Sequence, residues 1–261
     1  MGPFILKTSI VLSLTLFSTS IHYIYTMNIL ITGASSGIGY QTALRLASNA
    51  GNKIFALSRR GDLLDKLHQE AQTLYGFSNI IPITADLKTV SDQQLYESIA
   101  IHTHSLDIIF NNAAVLVNKP MLEITDADLS DTYNTNVFSI FKTTRSLFPL
   151  LKQALHPHII NVSSIGGLQT TSKFSGLSAY SSSKGAVTIL TECMAQEFDQ
   201  YNIKVNALAF GAVQTNMLSK AFPNYKAPVS DVEISELIVQ FFEHGYRFFN
   251  GKVLPIANSI P

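Results

Sequence analysis

Asn28-Ile29-Leu30-Ile31-Thr32-Gly33-Ala34-Ser35-Ser36-Gly37-Ile38-Gly39 is the stretch whose reading decides the fold. A short apolar run ends in a glycine-rich turn. The turn opens into Tyr40-Gln41-Thr42-Ala43-Leu44-Arg45-Leu46, which reads as a helix. Glycines there let the chain turn tightly and bring backbone N–H groups close to a pyrophosphate, while the helix N-terminus adds partial positive charge. The spacing is G-x3-G-x-G, so the generic G-x-G-x-x-G dinucleotide fingerprint does not strictly apply.

Outward from this turn, apolar runs alternate with segments of helix length. Strands are expected at 29–32, 54–58, 80–84, 106–111, 158–162, 205–209 and 252–256, rich in Ile, Val and Phe with apolar residues on both faces. Strands buried between two helical layers have that character. Leu63, Leu64, Leu67 and Leu74 form one amphipathic stripe, and Val137, Ile140, Phe141, Thr144, Leu147, Phe148 and Leu151 form another. The alternation predicts an α/β fold: one doubly wound domain, with a parallel sheet of about seven strands and helices on both faces. Right-handed crossovers then bring the C-terminal ends of the strands to one edge, where ligands bind. No repeat or linker divides residues 27–261, which are expected to form a single domain.

The chain has 261 residues, 46% hydrophobic and 14% charged, enough for a large core. Eighteen basic residues balance eighteen acidic ones. That neutrality argues against nucleic-acid binding, which needs a basic face to displace counterions. Cys193, the one cysteine, cannot form an internal disulfide and reads as a small buried hydrophobe. The pairs His102/His104 and His156/His158 lack accompanying Cys or carboxylate clusters and read as surface residues, so no metal is expected. Residues 1–26 form an apolar extension outside the expected core. Three readings stay open for it: a natural start at Met27, a signal peptide, or a membrane anchor. The expected location is cytoplasmic, with membrane contact only if that extension is retained. A chain beginning at Met27 is expected to fold.

The second chemical signal is Tyr180-Ser181-Ser182-Ser183-Lys184, at the head of an apolar helical segment and one strand–helix unit after Ser163-Ser164. Y-x3-K alone is weak. On a helix, however, residues four apart share a face, so phenol and ammonium can approach one cleft. A neighbouring cation is expected to lower the phenol's pKa and make proton exchange feasible near neutral pH.

Together, Thr32–Gly39, Asn111-Asn112-Ala113-Ala114, Asn136, Ser164 and Tyr180-x3-Lys184 resemble the short-chain dehydrogenase/reductase family, in the family's order and approximate spacing. The resemblance covers residues 27–261 and is closest in kind to 3-oxoacyl-thioester reductases and related carbonyl reductases. It implies a Rossmann-like domain that moves hydride between a nicotinamide cofactor and a carbonyl or secondary alcohol. Gly33, Ser35, Gly37, Ile38 and Gly39 would line the pyrophosphate turn. Asp86 and Leu87 would meet the adenine, and Asn111 and Ala113 the adenosine ribose. Tyr180 would be the acid/base. Lys184 would lower its pKa and bind the nicotinamide ribose, while Ser164 would stabilise the developing oxyanion. Asn136 would hold a water linking Lys184 to solvent. Val213 and Thr215 would contact the nicotinamide side. The resemblance also implies a homodimer or homotetramer, paired through helices at 126–155 and 179–201.

Three departures mark this chain. Ala114 stands where the family usually has Gly, Phe210-Gly211 replaces Pro-Gly, and the interval from Ser164 to Tyr180 is slightly long. At the end of the second strand, Arg59-Arg60 occupies the place of the acid that usually holds the ribose of NAD. A guanidinium suits a 2′-phosphate, so NADP(H) is favoured over NAD(H). Sugar-nucleotide epimerases share the Tyr/Lys pair, but too few residues follow Lys184 for their second domain. A hydrolase is disfavoured because no G-x-S-x-G elbow surrounds Ser163-Ser164. The alternative to an enzyme is a non-catalytic nucleotide-binding sensor or scaffold of the same fold. Segments 165–179 and 216–229 should set specificity, with Phe174, Phe210, Met217 and Phe222 able to make the pocket apolar.

Overall fold

The computed structural model describes residues 26–169 and 171–258; the apolar stretch at 1–25 lies outside them. Seven parallel strands form the main sheet: β1 (Asn28–Thr32), β2 (Lys53–Ser58), β3 (Ile80–Thr84), β4 (Ile108–Asn111), β5 (His158–Ser164), β6 (Lys204–Phe210) and β9 (Val253–Ile256), in the order β3-β2-β1-β4-β5-β6-β9. Successive side chains of a strand point to opposite faces. Ile29, Ile31, Ile54 and Ala56 therefore enter one core, and Leu30, Phe55 and Leu57 the other. The first core is covered by α1 (Gly37–Leu46), α2 (Gly61–Tyr75) and α8 (Asp231–Phe248). The second lies beneath α3 (Asp92–Ala100), α5 (Ser139–Leu151) and α6 (Ser178–Phe198). Both faces of the sheet are buried, which is why its strands read as continuous apolar runs.

The strand order reverses between β1 and β4, and the crevice outside the strand C-termini opens there. α4 (Asp126–Tyr133) starts on a capping box in which Thr125 and Asp128 each accept the other's backbone N–H. A π-helical turn at Asn134–Phe138 joins it to α5. Between β6 and α8 the chain forms a two-strand ladder, β7 (Val213–Gln214) with β8 (Val229–Ser230), around the six-residue α7 (Asn216–Ala221).

Two expectations fail. Cys193 is exposed, because it lies one turn beyond Ile189 on the outward face of α6, where Ile189 is itself 60% exposed. His158 is buried, because it opens a central strand paired on both sides, by Ile108 and by Lys204. Its Nε2 accepts from Asn206 Nδ2 at 2.9 Å, and burial pushes the imidazole down to about 3. Among the described residues, no group of three His, Cys, Asp or Glu side chains could hold a metal ion, and no helix is long and apolar enough to cross a membrane.

Candidate active site

The glycine turn after β1 is clamped to the end of β4. Thr32 Oγ1 accepts the backbone N–H groups of Asn112 and Ala113, each at 3.0 Å, and Asn112 Nδ2 donates back to Thr32 O at 3.0 Å. Gly33 has φ +69°, and a Cβ on it would lie 2.8 Å from Ala113 Cα. A Cβ on Gly39 would lie 2.6 Å from Asn112 Nδ2. The glycines thus bring the head of α1 against β4. Ser36, at the cap position, makes no side-chain bond to the helix, and the first turn carries no acid. The leading N–H groups of α1 therefore face the cleft without a side-chain partner, the arrangement that binds anions.

The cleft has two chambers. The outer one, about 650 Å³, is bounded by Gly33, Ser35, Arg59, Asp86, Leu87 and Ala113. The inner one, about 770 Å³, is bounded by Gly37, Ile38 and the trio Ser164, Tyr180 and Lys184, with Val213 and Thr215 opposite. Residues far apart in sequence thus converge along one crevice. Gly39, Asn111 and Asn136 line neither chamber. Gly39 is packed behind the turn. Asn111 points inward, donating to Asn161 Oδ1 at 2.9 Å and accepting from Thr143 Oγ1 at 2.7 Å. Its neighbour Asn112, to which the sequence reading gave no role, is the one that grips the turn.

Tyr180 and Lys184 occupy the first two turns of α6. Lys184 is 2% exposed, its Nζ donates to Val162 O at 2.8 Å, and it lies 5.9 Å from the Tyr180 ring centroid. Burial pulls its ammonium down to about 8. Burial also pushes the Tyr180 phenol up to about 12, against the lowering effect of its hydrogen bond with Ser164. This corrects the expectation of a Lys-depressed tyrosine. The ammonium is turned to a carbonyl, so loss of water around the phenol dominates. Ser164 Oγ also accepts Gly166 N–H at 3.1 Å, whereas Ser163 Oγ turns to Lys184 O at 3.0 Å. Of the two serines, Ser164 is the one turned towards Tyr180.

Asn136 sits in the π-helical turn with its amide fully engaged. Oδ1 accepts Val115 N–H at 2.8 Å, and Nδ2 donates to Val115 O at 3.0 Å and to Ser183 Oγ at 2.9 Å. Ser183 Oγ donates to Tyr180 O at 2.7 Å. The side chain is therefore a splint between the cleft wall and the turn that carries Tyr180. Nothing in the Y-x3-K spacing distinguishes Ser183 from its serine neighbours.

At the end of β2, Arg59 is exposed along the outer chamber. Arg60 folds over the glycine turn, with Nε and Nη2 donating to Ser35 Oγ at 3.2 and 2.8 Å and Nη2 to Ser36 Oγ at 2.9 Å. Phe210 and Met217 line the inner chamber, but Phe174 and Phe222 do not. Those two rings pack edge-on against each other, 6.3 Å apart, and Leu116 and Leu218 line the chamber instead.

The short chain dehydrogenase family model matches residues 27–226. The chain is 31% identical over 232 residues to carbonyl reductase (NADPH) 2 of Sus scrofa, covering 88% of this chain and 86% of that protein. It is 31% identical over 193 residues to the 3-oxoacyl-(acyl-carrier-protein) reductase of Thermotoga maritima, covering 73% and 76% respectively. Its fold superposes on a short chain dehydrogenase of Escherichia coli solved with NADPH, with a TM-score of 0.80 and 27% identity over 88% of this chain and 95% of the other. A nicotinamide-dependent oxidoreductase fold with these motifs in this order leaves one assignment: the chain belongs to the short-chain dehydrogenase/reductase family.

Proposed function

We propose that the protein is an NADP(H)-dependent reductase of carbonyl compounds, with Tyr180 as the proton donor. The observation that carries this reading is the trio of half-buried Ser164 and Tyr180 with buried Lys184, opening into the same crevice as an uncapped, glycine-tightened helix N-terminus. The cradle fits a dinucleotide: Gly33 and Gly39 sit where any Cβ would collide, and free N–H groups face the pyrophosphate position. NADPH, when bound, supplies the hydride taken up by the carbonyl carbon, leaving NADP+ and an alcohol.

The chain's own groups do the rest. Tyr180 hands its phenolic proton to the substrate oxygen, and Ser164 donates a hydrogen bond to that oxygen as charge develops. Lys184 presents its ammonium to the ribose side and restores the electrostatic balance around the phenolate. Asn136 and Ser183 fix the turn. Gly33, Ser35, Gly37 and Ile38 would hold the pyrophosphate, with Gly39 packed behind the turn; Asp86 and Leu87 would meet the adenine end, and Ala113 the ribose, with Asn111 behind it. Val213 and Thr215, which line the inner chamber, would meet the nicotinamide. Arg59 and Arg60 supply the positive charge for a 2′-phosphate. Dependence on intracellular NADPH favours a cytoplasmic site of action.

A second copy would cover the outer face of α5 and α6. Phe138, 54% exposed just before α5, and exposed Phe141 on α5 and Ile189 on α6 supply apolar surface, whereas half-buried Phe148 packs on Phe198 and Tyr201. A homodimer or homotetramer follows. The direct test of the reaction is NADPH consumption by the purified protein against a panel of aldehydes and ketones, with NADH in parallel. Binding of NADPH without turnover of any carbonyl would sink the assignment.

A further inference from the structure

The walls of the inner chamber restrict what can approach Tyr180. Leu116, Phe210, Met217 and Leu218 contribute large apolar side chains to its lining. Among the described residues, Lys184 is the one charged side chain lining this space, and its Nζ is held by Val162 O. The other polar side chains of the lining each already hold a partner within the chain. Ser36 Oγ accepts from Arg60 Nη2, Ser163 Oγ donates to Lys184 O, Asn112 Nδ2 donates to Thr32 O, and Thr215 Oγ1 caps Leu218 N–H. Groups near the rim are engaged too: Asn118 Nδ2 donates to Ala221 O at 2.8 Å, and Lys119 is paired with Asp128 at 2.7 Å. The hydroxyls of Ser164 and Tyr180 are the pair turned towards the reacting oxygen, and both are needed there.

We propose that the compound reduced here is neutral and carries no hydroxyl or carboxylate beside its carbonyl, and that polyhydroxy ketones and oxo acids are turned away. The proposal rests on the reductase reading above. Each sugar hydroxyl brought into this chamber exchanges water for carbon and finds no partner, which lowers kcat/KM by about ten-fold or more per group. A carboxylate beside the carbonyl meets one cation, the Lys184 ammonium already bound to Val162 O, and is excluded more strongly. Thioesters and simple ketones carry no such group beside the carbonyl and enter.

Initial rates of NADPH consumption by the full-length protein test this with compounds that share a five-carbon carbonyl skeleton: 2,3-pentanedione, 2-oxopentanoate, its ethyl ester and xylulose. The diketone and the ester should exceed the oxo acid and the ketose by at least about 100-fold in kcat/KM. Met217→Arg places a cation at the chamber wall and should move the ester-to-acid ratio at least about ten-fold towards the acid. Because intrinsic reactivity is the same for both enzymes, that shift reports the chamber alone. Reduction of xylulose or 2-oxopentanoate within ten-fold of the neutral compounds, or an unchanged ratio in Met217→Arg, overturns the proposal and leaves the reductase reading standing. An absence of turnover for all four compounds by protein that binds NADPH overturns both.

Discussion

Gly33→Ala should cost far more than Gly76→Ala, although both glycines have nearly the same backbone conformation. Gly33 has φ +69° and Gly76 φ +77°. An L-residue held in that region costs roughly 1–2 kcal/mol, so this part is common to both. The difference is space. Nothing lies within 4 Å of a Cβ at Gly76, which ends α2, whereas a Cβ at Gly33 meets Ala113 Cα at 2.8 Å and Ala113 N at 3.1 Å. The obstacle is backbone, fixed by its own hydrogen bond to Thr32, so relief requires the β1 and β4 ends to separate. Forcing a methyl into such a contact adds roughly 1–3 kcal/mol.

The expected losses are therefore about 1–2 kcal/mol for Gly76→Ala and about 2–5 kcal/mol for Gly33→Ala. At roughly 2–4 °C per kcal/mol, thermal unfolding separates them readily. Because Ala113 also bounds the outer chamber, Gly33→Ala should weaken NADPH binding at least ten-fold and Gly76→Ala should leave it unchanged, as read by quenching or energy transfer to bound NADPH. Equal melting temperatures in the two variants would refute the claim that the turn is clamped against β4.

Three further outcomes follow from the site. Ser183→Ala should lower kcat about ten-fold or more with little change in KM for NADPH, since it cuts the link from Asn136 to the Tyr180 carbonyl. Ser182→Ala, which removes an exposed neighbour on the same turn, should not; equal kcat values in the two would reduce Ser183 to a packing residue. Arg59→Asp with Arg60→Asp should depress NADPH binding much more than NADH binding, and an unchanged ratio would make the pair a solvated surface. Lys184 gives opposite pH trends above about pH 8. Its pKa falls from 10.5 to about 8 on folding, so the unfolded chain binds more protons between those values and stability rises with pH across that window. Activity, which needs the charged ammonium, should fall over the same range. The stability of wild type relative to Lys184→Met should climb by up to about 3 kcal/mol from pH 8 to 10.5, and a flat difference would contradict the buried-lysine account.

All seven strands of the main sheet were legible as apolar runs, because a sheet covered on both faces writes itself into consecutive residues. Their ends were less so. The fourth begins at Ile108, two residues after the apolar run opens, and the fifth runs on to Ser164 past Val162, where hydrogen bonding to β6 continues under polar side chains. The glycine turn and the Tyr180/Lys184 pair were visible because their chemistry depends on spacing within one or two turns of chain. What escaped depends on direction. Asn111 and Asn112 are adjacent, yet the pleat turns one into a buried network and leaves the other to grip the turn. Ser183 is one of three identical neighbours, and only helix phase turns it towards Asn136. Cys193 and His158 failed for the same reason, since the side of an element that meets another is set by tertiary packing. Phe174 and Phe222 look like cleft aromatics until the two segments carrying them are seen to pair with each other.

The most direct test of the central claim is Tyr180→Phe, measured twice on the same preparation. The substitution removes one buried hydroxyl and keeps the ring that Lys184 faces. NADPH binding should remain within a few-fold of wild type, while carbonyl reduction should fall by at least about 100-fold, within the range expected for loss of a positioned acid. A variant that retains most of its carbonyl reduction while binding NADPH normally would show that Tyr180 is not the proton donor.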